Sequence, residues 1–183
     1  SFTRIFDNDW VGPGLVSLAA IIGISIFQPR FLSPFNIFVL LSAIAVNMLV
    51  ALGQLVIIGI GQMNLALGSI GGLVAISFAA MMELWGFPPV LAFACGLGIG
   101  VVAGMASGFV IAKTGITAFI ITLAGLQIFK GINLGITEAQ PFYGVPQSVK
   151  DFGNTALWGP IPWLVLPTIV FSIAIWYLFA RLR

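Results

Sequence analysis

NMLVALGQLVIIGIGQMNLALGSIGG, from Asn47 to Gly72, is an apolar stretch long enough to cross a bilayer. It is interrupted by Gln54, Gln62 and Asn64 and by closely spaced glycines. An amide buried in hydrocarbon without a partner costs roughly 2–7 kcal/mol, so such groups face protein or water. Glycines beside them let the backbone unwind or approach another helix, which lipid tolerates only where the chain lines a cavity or is covered by protein. A spanning segment with polar side chains and a breakable middle is the pattern of a pathway rather than an anchor. The expected fold is all-α, a polytopic transmembrane bundle of about six spans with a broken helix near residues 61–68.

Composition agrees with a membrane chain. The mean hydropathy is strongly positive, and charged residues make up 7%, against about 25% in soluble domains. They fall at Arg4, Asp7, Asp9, Arg30, Glu83, Lys113, Lys130, Glu138, Lys150, Asp151, Arg181 and Arg183, leaving apolar runs between them. Cys95 is the only cysteine, so no disulfide forms within the chain, and a small packing residue is its simplest role. With no histidine, the usual metal ligand and neutral-pH general base is missing. A net charge of +2 spread over such a chain gives no indication of nucleic acid. The chain opens on Ser1 rather than Met, without a signal-peptide pattern, and stops at Arg181-Leu182-Arg183 straight after an apolar run. It is therefore expected to be a piece of a longer chain.

A hydrocarbon core of ~30 Å needs about 20 apolar residues per helix. The first span is expected over Val11 to Phe27, the second from Ile37 to about Gly61 with Asn36 as its N-cap, and the third from about Leu67 to Leu84. The fourth, Pro88 to Ala112, carries Gly96, Gly100, Gly104 and Gly108, overlapping small-residue steps that let two backbones come close. Helix packing is the expected role of all these glycines. Ile116 to Lys130 forms a shorter fifth span. Gly131 to Pro160 reads as an exposed loop with room for a short surface helix. The sixth span runs from Ile161 to Ala180, with Pro162, Trp163, Trp176 and Tyr177 near its ends as interface anchors. An even number of spans puts both ends on one side. A cytoplasmic placement of both ends is favoured by a slight excess of Lys and Arg there.

Asn47 and Gln54 share a helix face, as Gln62 and Ser69 would in an unbroken helix. Amides can simply bond neighbouring helices, worth ~0.6 kcal/mol each. The cluster from Gln54 to Ser69 is harder to explain that way throughout, because Gly59, Gly61 and Gly68 weaken the same helix. Thr122 and Gln127 in the fifth span are weaker candidates, since threonine commonly bonds back to its own helix. The candidate substrate pathway is thus Asn47, Gln54, Gln62, Asn64, Ser69, Thr122 and Gln127. No Walker-type phosphate loop and no acid–base pair for hydrolysis is present.

Ala51-Leu52-Gly53-Gln54 followed by Gly61-Gln62-Met63-Asn64-Leu65-Ala66-Leu67-Gly68-Ser69 resembles a known signature, A-x-G-Q/M … G-G-I-D-L-S-V-G-S. Gly115 to Gly131, GITAFIITLAGLQIFKG, is similar to I-P-A-F-I-V-T-L-x-G-L-x-I-x-R-G, and Phe31-Leu32-Ser33-Pro34-Phe35-Asn36 to F-L-S-x-x-N. These motifs belong to ribose- and xylose-type permeases, the membrane subunits of bacterial ABC sugar importers. The resemblance covers nearly the whole chain, 1–183, as a single transmembrane domain forming the N-terminal part of a longer permease. It implies a subunit of the bacterial inner membrane without catalysis of its own. A second permease subunit would complete the pathway, cytoplasmic ATPases holding ATP and Mg would drive it, and a periplasmic solute-binding protein would deliver solute to the face bearing Gly131 to Pro160; no cofactor is expected in this chain itself.

The chain departs from that signature at three positions: Asn64 stands for Asp, Gln62 for Gly and Ala66 for Ser. The site loses a charge and gains an amide, which opens it to a polyol, nucleoside, autoinducer or other small polar solute besides a pentose or hexose. Two alternatives stay open on the residues alone, a passive channel and a structural subunit of a membrane complex. A haem-holding subunit would want histidine ligands, and an intramembrane enzyme would want a partnered nucleophile, which Ser42, Ser69, Ser77 and Ser107 lack.

Overall fold

The computed structural model describes residues 11–181; the expectations for Ser1 to Asp9 and for Leu182 and Arg183 lie outside them. Helix α1 spans Val11–Phe27 and a 3-10 turn Pro29–Leu32, followed by α2 (Pro34–Gly59), α3 (Leu67–Glu83), α4 (Pro89–Thr114) and α5 (Ala118–Thr137). A short α6 (Gln147–Gly153) leads to an antiparallel hairpin, β1 (Ala156–Trp158) and β2 (Ile161–Pro162), and then to α7 (Val165–Arg181). The fold is all-α apart from that hairpin, in which Ala156 faces Pro162 and Trp158 faces Ile161.

Helices α2, α4 and α5 are long and apolar enough to cross a membrane. Helices α1, α3 and α7 are apolar but have 17 residues each, at the lower end of the ~17–25 that a span requires. Together they correspond to the six segments expected from the sequence.

Pairwise contacts fix how these helices run. Gly96 and Gly100 of α4 meet Val74 and Phe78 of α3, while Ala92 packs with Met81 and Met82, so α3 and α4 are antiparallel. Leu65 meets Thr122, Ala66 meets Gly125 and Ser69 meets Asn133, so α3 and α5 are parallel. Thr168 Oγ1 donates to the Ala45 carbonyl at 3.4 Å and Phe179 lies on Gly59, so α2 and α7 are parallel too. This alternation is what successive crossings of one slab produce. Two packed groups result, α3 with α4 and α5, and α2 with α7.

The end of the bundle where α3 stops and α4 starts is covered by residues 138–153. Glu83 Oε2 accepts the Gly144 N–H at 2.7 Å, Lys150 Nζ donates to the Tyr143 carbonyl at 2.8 Å, and Val145 and Val149 pack on Met81, Met82 and Ala92. Lys113 sits at the far end of α4, about 36 Å away along the helix at 1.5 Å per residue.

Four expectations need correction. Ser33, not Asn36, caps α2: its Oγ accepts the Asn36 N–H at 3.4 Å, while Asn36 Nδ2 turns back to the Phe31 carbonyl at 2.7 Å. Pro34 then fills the first helical position, where a missing N–H costs nothing. The fifth helix does not stop at Lys130 but continues to Thr137, because Asn133 keeps the face that packs on α3. Glu138 and Ala139, both left-handed at φ +49° and +59°, end it. The sixth begins at Val165, since Ile161–Pro162 is a strand; Pro162 is buried and Trp163 stacks on Phe152 at 4.4 Å between ring centres. Trp163 is therefore a packing residue, whereas Trp176 and Tyr177 are exposed.

The glycine ladder of α4 divides. A Cβ at Gly96 would stand 3.4 Å from the Val74 carbonyl oxygen and one at Gly100 would be 2.9 Å from Val74 Cγ2, yet Gly104 and Gly108 have nothing within 4 Å among the described residues. Each step of four residues advances about 40° around a helix of 3.6 residues per turn, so Gly108 lies about 120° from Gly96. The seam against α3 instead continues through Ala103, which is buried with Ala66 and Ile70. Packing among the described residues is therefore not the role of Gly104 and Gly108. Gly100→Leu should lower stability by about 1–3 kcal/mol through overpacking. Thermal unfolding of the purified protein should show a larger loss for Gly100→Leu than for Gly104→Leu.

Candidate functional site

The broken helix is built from its main chain upward. Helix α2 ends in a Schellman arrangement: the Gly61 N–H donates to the Ile58 carbonyl at 2.8 Å and the Gln62 N–H to the Ile57 carbonyl at 3.1 Å. Gly61 takes φ +74°, which the motif requires at that position and which a Cβ would strain. The chain then doubles back along α2, bringing Asn64 level with Gln54 and Leu67 against Gly53.

Residues 62–66 belong to no helix, so their peptide groups need partners from elsewhere. Gln54 supplies two: with its amide oriented to suit both, the side-chain NH2 donates to the Asn64 carbonyl at 2.9 Å and the side-chain oxygen accepts the Asn64 N–H at 3.3 Å. Thr122, buried on α5, accepts the Leu65 N–H at 3.1 Å and donates to the Phe119 carbonyl at 3.4 Å. Asn64 Oδ1 accepts the Ala66 N–H at 2.8 Å, an Asx turn that leads into α3. Ser69 Oγ donates to the Ala66 carbonyl at 2.9 Å. Four of the residues singled out from sequence are thus engaged in shaping this segment.

Beside it opens a cleft of about 290 Å³. Ile57, Ile60 and the 62–64 turn form one wall, Gly104, Ser107, Gly108 and Ile111 of α4 a second, and Ala118 and Thr122 of α5 the third. The two open glycines of the ladder make room for it. Ser107 Oγ is spent on the Ala103 carbonyl at 3.0 Å. Among the described residues, the Gln62 amide and Asn64 Nδ2 make no hydrogen bond, and both residues line the cleft; no charged side chain does. A larger groove of about 560 Å³, between Val56, Gly59, Trp176 and Phe179, is lined by side chains without an amide, hydroxyl or charge, the indole N–H of Trp176 being their one polar group.

Asn47 and Gln127 are not brought to the cleft. Asn47 Nδ2 bonds its own helix at the Ala43 carbonyl, 2.8 Å away, and Gln127 is exposed about 140° around α5 from Thr122. Sequence reasoning missed Ser107 and Asn133. Ser107 was discoverable from its place between Gly104 and Gly108; Asn133 was hidden by reading residues after Lys130 as loop.

Residues 36–183 match the family described as branched-chain amino acid transport system / permease component. The chain belongs to this family. Within it the chain is similar to the ribose import permease protein of Bacillus subtilis (strain 168), 34% identical over 171 residues, 92% of this chain and 52% of that protein. It is similar to the xylose transport system permease protein of Escherichia coli (strain K12), 31% identical over 148 residues, 78% and 37% of the two chains. The D-allose transport system permease protein of the same strain is 31% identical over 170 residues, 92% and 51% of the two chains. This permease-family chain spans about half the length of such relatives, and no solved structure matches it.

The Asx turn made by Asn64 explains how this member can differ from the Asp of the motif it resembles, since either side chain offers an oxygen to the Ala66 N–H. Asn64→Ala should cost about 0.5–1.5 kcal/mol of stability, and Asn64→Asp little. Gln54→Leu should cost about 1–3 kcal/mol, because it leaves the Asn64 peptide groups unpaired. Thermal unfolding of the purified full-length variants reads all three.

Proposed function

We propose that this chain is part of the permease subunit of an ATP-driven importer that moves a sugar or similar small, neutral, polar solute across the bacterial inner membrane. The observation that carries the reading is the cleft at the broken helix, lined by Gln62 with an unbonded amide and Asn64 with an unbonded NH2 group among largely apolar residues. Neutral amides donate and accept hydrogen bonds, as hydroxyl-rich solutes do, and the uncharged lining gives no reward to an ion. The names of its relatives, ribose, xylose and D-allose permeases, point the same way. Gln54, Thr122 and Ser69 act in this reading by holding the segment, and Gln62 and Asn64 by meeting solute.

A second permease subunit would close the open side of the cleft, where Gly104 and Gly108 lie bare. Cytoplasmic ATPases would switch it between two faces, and a periplasmic binding protein would dock on the 138–163 end. In this orientation Lys113 and Arg181 are cytoplasmic and Lys150 is periplasmic. Cysteines placed singly at Lys113 and Lys150 after Cys95→Ala should react with an impermeant reagent from opposite sides of the membrane. Reaction of both from outside would overturn the crossing pattern.

The functional test is uptake of labelled ribose, xylose and D-allose by the full-length permease with its ATPase in proteoliposomes. Uptake should require ATP, and ATP-independent equilibration would make this a channel. Asn64→Asp keeps the oxygen that accepts the Ala66 N–H but exchanges the free donor for a carboxylate. A carboxylate against lipid costs about 2.5–3.5 kcal/mol of insertion, a cost largely removed in a wet cleft. Asn64→Asp should insert normally and change the rate or solute preference. Wholly unchanged uptake would assign Asn64 to its turn alone.

A further inference from the structure

Thr122 and Asn133 are eleven residues apart on α5, about three turns, and share one face of the helix. Between them on that face, Gly125 lets Ala66 approach to 3.6 Å of where a Cβ would be, and Phe129 packs on the cluster of Ala66, Ile70 and Ala103. At the far end, Asn133 Nδ2 donates to the Ser69 carbonyl at 3.4 Å. Gly72 faces the same nitrogen, and a Cβ there would stand 3.1 Å from it. Asn133 Oδ1 is buried with no partner among the described residues. An acceptor left unpaired away from water is destabilising, and leucine would fill this space without that penalty. Packing of α3 on α5 therefore gives no reason for an amide here.

We infer that Asn133 is a positioning residue for the cleft. The connection is continuous: Asn133 holds the Ser69 carbonyl, Ser69 Oγ holds the Ala66 carbonyl, and the Ala66 N–H is held by Asn64 Oδ1. Thr122 fixes the same segment one residue earlier, at the Leu65 N–H. Helix α5 thus grips the unwound segment at Leu65 and the first turn of α3 at Ser69, which sets where Asn64 and Gln62 stand in the cleft. Loss of the grip at Ser69 frees that turn to rotate while the helices stay packed. The consequence for transport rests on the function proposed above; the grip itself does not.

Labelling tests the grip without any solute. In the full-length permease with Cys95→Ala, Gln62→Cys reports on the cleft and Lys113→Cys on the exposed end of α4. Adding Asn133→Leu should change the rate of labelling by a small methanethiosulfonate several-fold at position 62 and leave position 113 unchanged. Asn133→Gln, which keeps the donor, should restore the rate, and Gly72→Ala, which pushes on the amide from α3, should reproduce the Asn133→Leu change. An unchanged rate at position 62 overturns the inference, as does an equal change at both positions, which would mean general loosening. Should Asn133→Leu fail to assemble, Gly72→Ala decides by the same two outcomes. With native Gln62, Asn133→Leu should raise the half-saturation concentration for ribose, xylose or D-allose uptake more than it lowers the maximal rate. No uptake of any of the three by the unaltered transporter counts against the sugar reading, and the labelling rates still decide the grip.

Discussion

The constraint on which the rest depends is the hydrogen-bonding need of a few peptide groups. Residues 62–66 leave the helix inside an apolar bundle, where water is scarce and each unpaired peptide group costs several kcal/mol. The Ile57 carbonyl takes the Gln62 N–H, and the next residues find their partners in side chains. Gln54 on α2, Thr122 on α5 and Asn64 within the segment pair the peptide groups of Asn64, Leu65 and Ala66. Without them those groups would be left unpaired, and the turn that presents Gln62 and Asn64 would lose its support.

The same requirement explains the packing around the segment. Peptide groups can reach the α5 side chains only if backbones come close, and α5 supplies Gly125 at that point while the segment supplies Ala66. Close approach on α3's other side comes from Gly96, Gly100 and Ala103 of α4. Helices α3, α4 and α5 are thereby tied into one group, while α2 holds α7 through Gly59 under Phe179 and the Thr168 hydroxyl on Ala45. The Gln54 amide joins the two groups across the break, beside the covalent link of residues 60–66. A helical protein that must open and close a path gains from such an arrangement, since two compact groups joined at few points can shift without unpacking either.

Much of the fold was legible in the residues. Apolar runs bounded by Pro29, Pro88, Lys113-Thr114 and Gly159-Pro160 mark the six apolar helices, and polar side chains beside glycines mark the break between Gly59 and Leu67. Boundaries failed where composition and contact disagreed. Gly131 to Thr137 looks like loop by its glycines and asparagine, but α3 lies alongside and keeps it helical. Pro162 and Trp163 look like interface anchors by type, but a two-stranded turn folds them inward.

What the sequence by itself determined is the membrane class, the number and order of apolar helices, the place of the break and the set of amides near it. These follow from local quantities: run length, hydropathy and the effect of glycine on its own backbone. Only the tertiary structure decided which amides are structural and which are free. Gln54, Thr122 and Ser69 are occupied by main-chain partners, while Gln62 and one end of Asn64 face open space. It also decided that half the glycine ladder packs and half lines a cleft. A hydrogen bond across 57 residues, such as Leu65 to Thr122, is a meeting of surfaces. No local pattern in either segment contains it.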